Sequence, residues 1–148
     1  MISIGVVGFS RNQFDQPAAR ELLRSALHEM LDRLGETADN VELVSGLTNM
    51  GVPRIAYELA DEMGMRTIGL SAKRALRMSV YAVDEQVIVG KNFGDESVEF
   101  IRRVDGLIRI GGGKQSRAET ELFKDKLDRD PDRMQQLLIE HEVEWLGK

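Results

Sequence analysis

A chain of 148 residues, 42% apolar and 30% charged, is long enough for one hydrophobic core, and one domain over 1–148 is expected. It has no cysteine, which excludes a disulfide framework and a thiolate metal site and fits a cytoplasmic protein. The net charge of −5 argues against sequence-independent DNA binding, and no run approaches the ~20 apolar residues of a membrane span.

Residues 2–8, ISIGVVG, are almost all apolar. They read as a central parallel strand rather than a signal peptide, since no basic segment precedes them. Residues 17–34 repeat apolar positions at helical spacing, with Pro17 in the first turn and Gly35 just past the end. VELVS, 41–45, reads as a second strand. After the glycine-bounded loop 46–51, Pro53 opens a helix that Gly64 stops. RTIGL, 66–70, is a third strand. SAKRALRMS, 71–79, fits a short helix or an extended loop. A strand is expected over 85–90, a helix over 96–104, a strand over 106–110 and a helix from Ser116 to about Leu127. Asp130 can cap a last helix from Pro131 to about Trp145. That helix would carry Met134, Leu137, Leu138, Trp145 and Leu146 as one stripe, closing the core or forming a homodimer seam over 131–146.

Strands alternating with helices imply an α/β protein: a doubly wound, mostly parallel sheet with helices on both faces. Ligands of such sheets bind beyond the carboxyl ends of the strands, at a topological switch point. Four loops therefore matter. GGGKQS, Gly111 to Ser116, follows the fifth strand and opens a helix. Gly111, Gly112 and Gly113 let a ligand approach the main chain, and the helix start attracts an anion. Lys114, Gln115, Ser116 and Arg117 add polar groups. The same letters also fit a turn in which Ser116 and Glu119 form a capping box. SGLTNMG, 45–51, offers Ser45, Gly46, Thr48, Asn49 and Gly51, with Thr48 or Asn49 as a plain helix cap in the alternative. GFSRN, 8–12, offers Gly8, Ser10 and Arg11, or is a solvated loop. The loop Ser71–Arg74 follows the third strand, and its Lys73 and Arg74 either face the ligand or are solvated. Asp95 reads as a cap.

There is no GxGxxG and no Walker A sequence. His28 and His141 lack metal-ligand neighbours and read as packing or interface residues. No catalytic triad and no metal site emerge, and no resident cofactor is expected.

Taken together, GxS after the first strand, SGLTNMGVPRIAYELADEMGMRTIGL and RIGGGKQSRAETELF resemble the SLOG superfamily over about residues 1–127. This Rossmann-like group includes the Lonely-Guy phosphoribohydrolases and the core of DNA-processing protein A. Those enzymes carry GGGxxGxM and PGGxGTxxE loops. Gly112 and Gly113 match the paired glycines, Ser116 replaces the threonine, and Glu119 matches a glutamate of the catalytic pair. Gly111 stands for the proline and Gln115 for the third glycine. The enzymes' catalytic arginine would fall near Asp95–Ser97. No Arg or Lys lies between Lys91 and Arg102, so that arginine is expected to be missing, with Lys91 a displaced stand-in.

The resemblance implies binding of a nucleotide or nucleotide-derived phosphate, in a sensor or carrier. The alternative it implies is a nucleoside 5′-monophosphate phosphoribohydrolase with Glu119 central to N-glycosidic cleavage. A partner-binding module using the Met134–Leu146 stripe is a further reading. A homodimer is expected, and neither a membrane nor a nucleic acid partner.

Overall fold

The computed structural model describes residues 1–147. The chain runs β1 (Ile2–Gly8), α1 (Gln16–Leu34), β2 (Val41–Ser45), α2 (Gly51–Met63), β3 (Arg66–Ser71), β4 (Glu85–Ile88), α3 (Ser97–Arg103), β5 (Gly106–Ile110), α4 (Lys114–Lys126), α5 (Pro131–Leu137) and β6 (Leu138–His141). Two 3₁₀ turns, Ala38–Asn40 and Lys73–Arg77, complete it. The second decides the ambiguous stretch after β3 in favour of a short helical turn.

The strands form one sheet in the order β4-β3-β2-β1-β5-β6, and every pair is parallel. Helices cover both faces. On one, Ile4 and Val6 of β1, Leu43 of β2 and Ile108 of β5 pack against α1 and α2. On the other, Val7, Val44, Ile68 and Leu107 meet Phe100 and Ile101 of α3 and Phe123 of α4. Burial on both faces is why the central strands read as unbroken apolar runs. The Asp15 side chain caps α1 by accepting from the Ala18 N–H at 3.1 Å, and Gly35 ends it in the left-handed region.

The C-terminal segment departs from the sequence expectation. The last helix stops at Leu137, not near Trp145, and β6 follows at once. It pairs with the outer edge of β5, from Leu107 with Leu138 to Ile110 with His141. Helical spacing fits 134–146, but Leu138–His141 also fits a strand with Ile139 buried. The open edge of β5 supplies hydrogen-bond partners along its length and decides between the two. The expected stripe is therefore divided. Met134, Leu137 and Leu138 pack half-buried against the second core. The Trp145 ring packs at a tilt against that of Phe9, ring centroids 5.0 Å apart. The Asp15 N–H donates to the Glu144 carbonyl at 3.0 Å and the Leu146 N–H to the Gln13 carbonyl at 2.7 Å. His28 is exposed and His141 is half-buried in β6.

Candidate functional site

Strand order reverses at β1, with β2, β3 and β4 on one side and β5 and β6 on the other. A crevice must open there beyond the strand carboxyl ends, because successive crossovers diverge. A cleft of about 200 Å³ occupies this position. Gly8 and Ser10 line it from the loop after β1, and Ser45, Gly46 and Thr48 from the loop after β2. Gly113, Lys114, Gln115, Ser116 and Glu119 line it from the start of α4. Its apolar wall includes Val7, Leu70 and Phe100.

The two helix N-termini that approach the cleft differ. That of α2 is already satisfied: the Gly51 N–H donates to Asn12 Oδ1 at 2.8 Å and the Val52 N–H to the Phe9 carbonyl at 2.7 Å. Thr48 and Asn49 do not cap it, since the cap residue is Met50. Asn49 and Gly51 lie outside the cleft lining, and the Asn49 N–H donates to the Ser79 carbonyl. At α4 the cap residue is Gly113, with no capping side chain. Among the described residues, no group accepts from the first-turn N–H groups of Lys114, Gln115 or Ser116. They carry the positive end of a 13-residue helix to the cleft.

The loop before α4 is held from behind. The Gly111 N–H donates to the His141 carbonyl at 2.7 Å. Buried Arg109 donates to the Gly111 carbonyl at 2.8 Å, and Arg117 to the Gly112 carbonyl at 3.2 Å. Glu142 receives both guanidinium groups at 2.8 Å, and they hold its carboxyl down at about 2. Gly112 has φ +109°, and a Cβ there would stand 2.7 Å from that of Ser116. The Ser116 hydroxyl donates to the Gly8 carbonyl at 2.7 Å, tying α4 to the end of β1. Gly111 and Gly112 thus shape the loop and do not line the cleft, whereas Gly113 is exposed with nothing within 4 Å of a Cβ. Arg117 is paired rather than free. Arg11 is exposed and also lies outside the lining.

The capping box does not form. Glu119 accepts from the Ser97 hydroxyl at 2.9 Å, at the far end of the cleft. Beside it Glu96 accepts from Gln115 Nε2 at 2.9 Å and from the Gly94 N–H at 3.1 Å. Burial pushes Glu119 up to about 7; the Ser97 and Gln115 hydrogen bonds oppose the rise and the Glu96 charge adds to it. Asp95 makes the turn before α3, accepting from the Lys91 and Asn92 N–H groups, which hold its carboxyl below its ordinary range.

Sequence reasoning missed Phe93 and Glu96 as lining residues; of the 71–74 loop it singled out Lys73 and Arg74, whereas Ser71 is the one that lines the cleft, accepting from the Leu47 N–H at 2.8 Å. The signal was available. The loop after the fourth strand lies on the same sheet edge as the other four and was not counted with them.

The six-stranded parallel sheet with its switch-point cleft defines a Rossmann-like α/β protein. Within that class the chain resembles the molybdenum cofactor binding protein from the phototrophic bacterium Rippkaea orientalis. That match has TM-score 0.67 at 21% identity, covering 97% of this chain and 77% of that one. The molybdenum cofactor carrier protein from Chlamydomonas reinhardtii matches with TM-score 0.66 at 18% identity, over 94% and 88% of the two chains. The structural-genomics target TM1055 matches with TM-score 0.63 at 18% identity, over 96% and 92%. The likeness at these identities is one of fold. No protein-family model matches the sequence, and no curated protein matches it significantly.

Proposed function

We propose that this chain binds a small phosphate-bearing ligand of the nucleotide or cofactor type, with the phosphate on the N-terminus of α4. The observation that carries the reading is the contrast between the two helix starts. The first turn of α2 is closed by Phe9 and Asn12, while that of α4 opens on the cleft with Lys114 beside it. Ser10, Ser45, Gly46, Thr48 and Gln115 supply polar contacts around it. Molybdenum cofactor binding by the first of the similar structures and its carriage by the second support a binding or carrier role over a catalytic one.

Gly113→Asp tests the site without disturbing the fold. Position 113 is extended, has open space for a side chain, and already stands at the helix cap. An aspartate there caps α4 with its own carboxylate and adds about 0.5–2 kcal/mol of stability. The same carboxylate takes the place of the ligand phosphate. Wild type incubated with a nucleotide panel should deplete an intact nucleotide on ultrafiltration, and the variant should not. Undiminished depletion by a folded Gly113→Asp protein would exclude this seat.

The second reading, N-glycosidic hydrolysis, draws on Glu119 lying in the cleft against Ser97. It expects free base in the same filtrate, and its loss in Glu119→Gln.

A further inference from the structure

Among the described residues, six basic side chains make neither an ion pair nor a hydrogen bond: Arg11, Lys73, Arg74, Arg77, Lys91 and Lys114. All six are exposed. All six lie on loops leaving strand carboxyl ends: Arg11 after β1, the trio 73–77 after β3, Lys91 after β4 and Lys114 after β5. Of the ion-paired bases, Arg66, Arg102 and Arg103 lie near the opposite edge, while Arg109 and Arg117 are paired behind the loop before α4. An acidic chain would ordinarily neutralise its exposed bases where carboxylates are plentiful. This one leaves them unpaired around one cleft.

The six form two groups. Lys114 lines the cleft at the start of α4, and Arg11 follows Ser10. The other group is joined through its backbone: the Lys73 N–H donates to the Gly90 carbonyl and the Arg74 N–H to the Lys91 carbonyl, each at 3.0 Å. It borders the cleft through Ser71 and Phe93, and the Phe93 side chain is 46% exposed. Strands β1 and β3 lie two spacings apart, roughly 10 Å. One phosphate does not bridge the two groups.

We propose that Lys73, Arg74 and Lys91 form a second anion subsite, so that the ligand of the cleft carries two separated anionic groups, as a dinucleotide does. The inference rests on the proposed binding function and adds the class of ligand. The first phosphate sits at Gly113–Ser116. The second nucleotide crosses the sheet edge, its base against Phe93 and its phosphate toward the second group. An exposed aromatic beside free cations suits a stacked base joined to a phosphate.

Calorimetric titration of the full chain with 5′-GMP and with the 5′-phosphorylated dinucleotide pGpG, and with the adenine pair, tests this. The variant carries Lys73→Ala, Arg74→Ala and Lys91→Ala together. These side chains hold nothing in the fold, so the variant keeps its melting temperature. Wild type should bind the dinucleotide about tenfold more tightly than the mononucleotide, as expected for a few exposed ionic contacts. The variant should bind the mononucleotide as wild type does, and its preference for the dinucleotide should fall to what the Phe93 stack alone supplies and lose its salt dependence. The wild-type preference should shrink as salt rises from about 0.1 M to about 1 M. Equal wild-type affinities, or a preference that survives undiminished in the variant, overturn the second subsite alone. Failure of wild type to bind either class overturns the proposed function and the subsite with it.

Discussion

Glu119 lies in the cleft, and its surroundings move it well above its ordinary range. A carboxyl buried beside Glu96 and Ser97 stays protonated up to about 7, against 4.5 in an unfolded chain. The raised value sets the sign. The stability contributed by the neutral form is fully present below about pH 4.5 and is lost as pH rises to about 7, by an amount on the order of 3 kcal/mol. Glu119→Gln keeps the shape and removes the titration. Its melting temperature should vary less than that of wild type between pH 4.5 and 7, and should exceed it above pH 7. Parallel pH profiles for the two proteins would show that Glu119 is not buried against its charge. At Gly113 the reasoning is simpler: an open, unstrained, capping position tolerates a side chain that its neighbour Gly112 does not.

Elements bring these residues together, and the C-terminal one does so indirectly. Residues 142–146 lie across the loop after β1, with Trp145 on Phe9 and two main-chain hydrogen bonds across the seam. Trp145→Ala should loosen that seam without touching the core. Hydrogen exchange at the Asp15 and Leu146 amides should quicken at least about tenfold, while amides of β1 and β5 stay unchanged. Unchanged protection at Asp15 would mean that the hydrogen bonds alone hold the seam. Most of the architecture was legible because periodicity and turn residues agree in it: ISIGVVG can only be buried, and Pro17 with Gly35 bounds a helix. Leu138–His141 was not legible, because its spacing fits a helix and a strand equally and its partner is a distant strand edge. The site was half legible. Loop positions followed from the sheet, so Gly8, Ser10, Ser45, Gly46, Thr48 and the 113–116 run fell in the cleft. Which glycines face it did not follow, because that depends on Arg109, Arg117 and Glu142 holding the loop from behind.

At the scale of the whole molecule, charge and topology point the same way. A net charge of −5 conceals a cation-rich rim at one sheet edge. The central strand β1 depends for one of its two partners on residues near the far end of the chain, with Ile4 beside Gly106. A fragment ending at residue 105 retains β4-β3-β2-β1 but leaves the apolar edge of β1 unpaired. It should lack near-ultraviolet circular dichroism, yield to protease and associate. A monomeric, protease-resistant fragment would mean that β5 is dispensable.

The pairing of β1 with β5 also sets an order of events during synthesis. The first strand leaves the ribosome with one side open and waits for most of the chain before that side is closed. Contacts so distant in sequence form slowly. During the interval Val6 and Val7 present an unprotected edge to any other nascent chain. The strand that floors the cleft is thus made well before the strand that completes it. Mutations that delay β5 should be felt as lost yield before they are felt as lost binding.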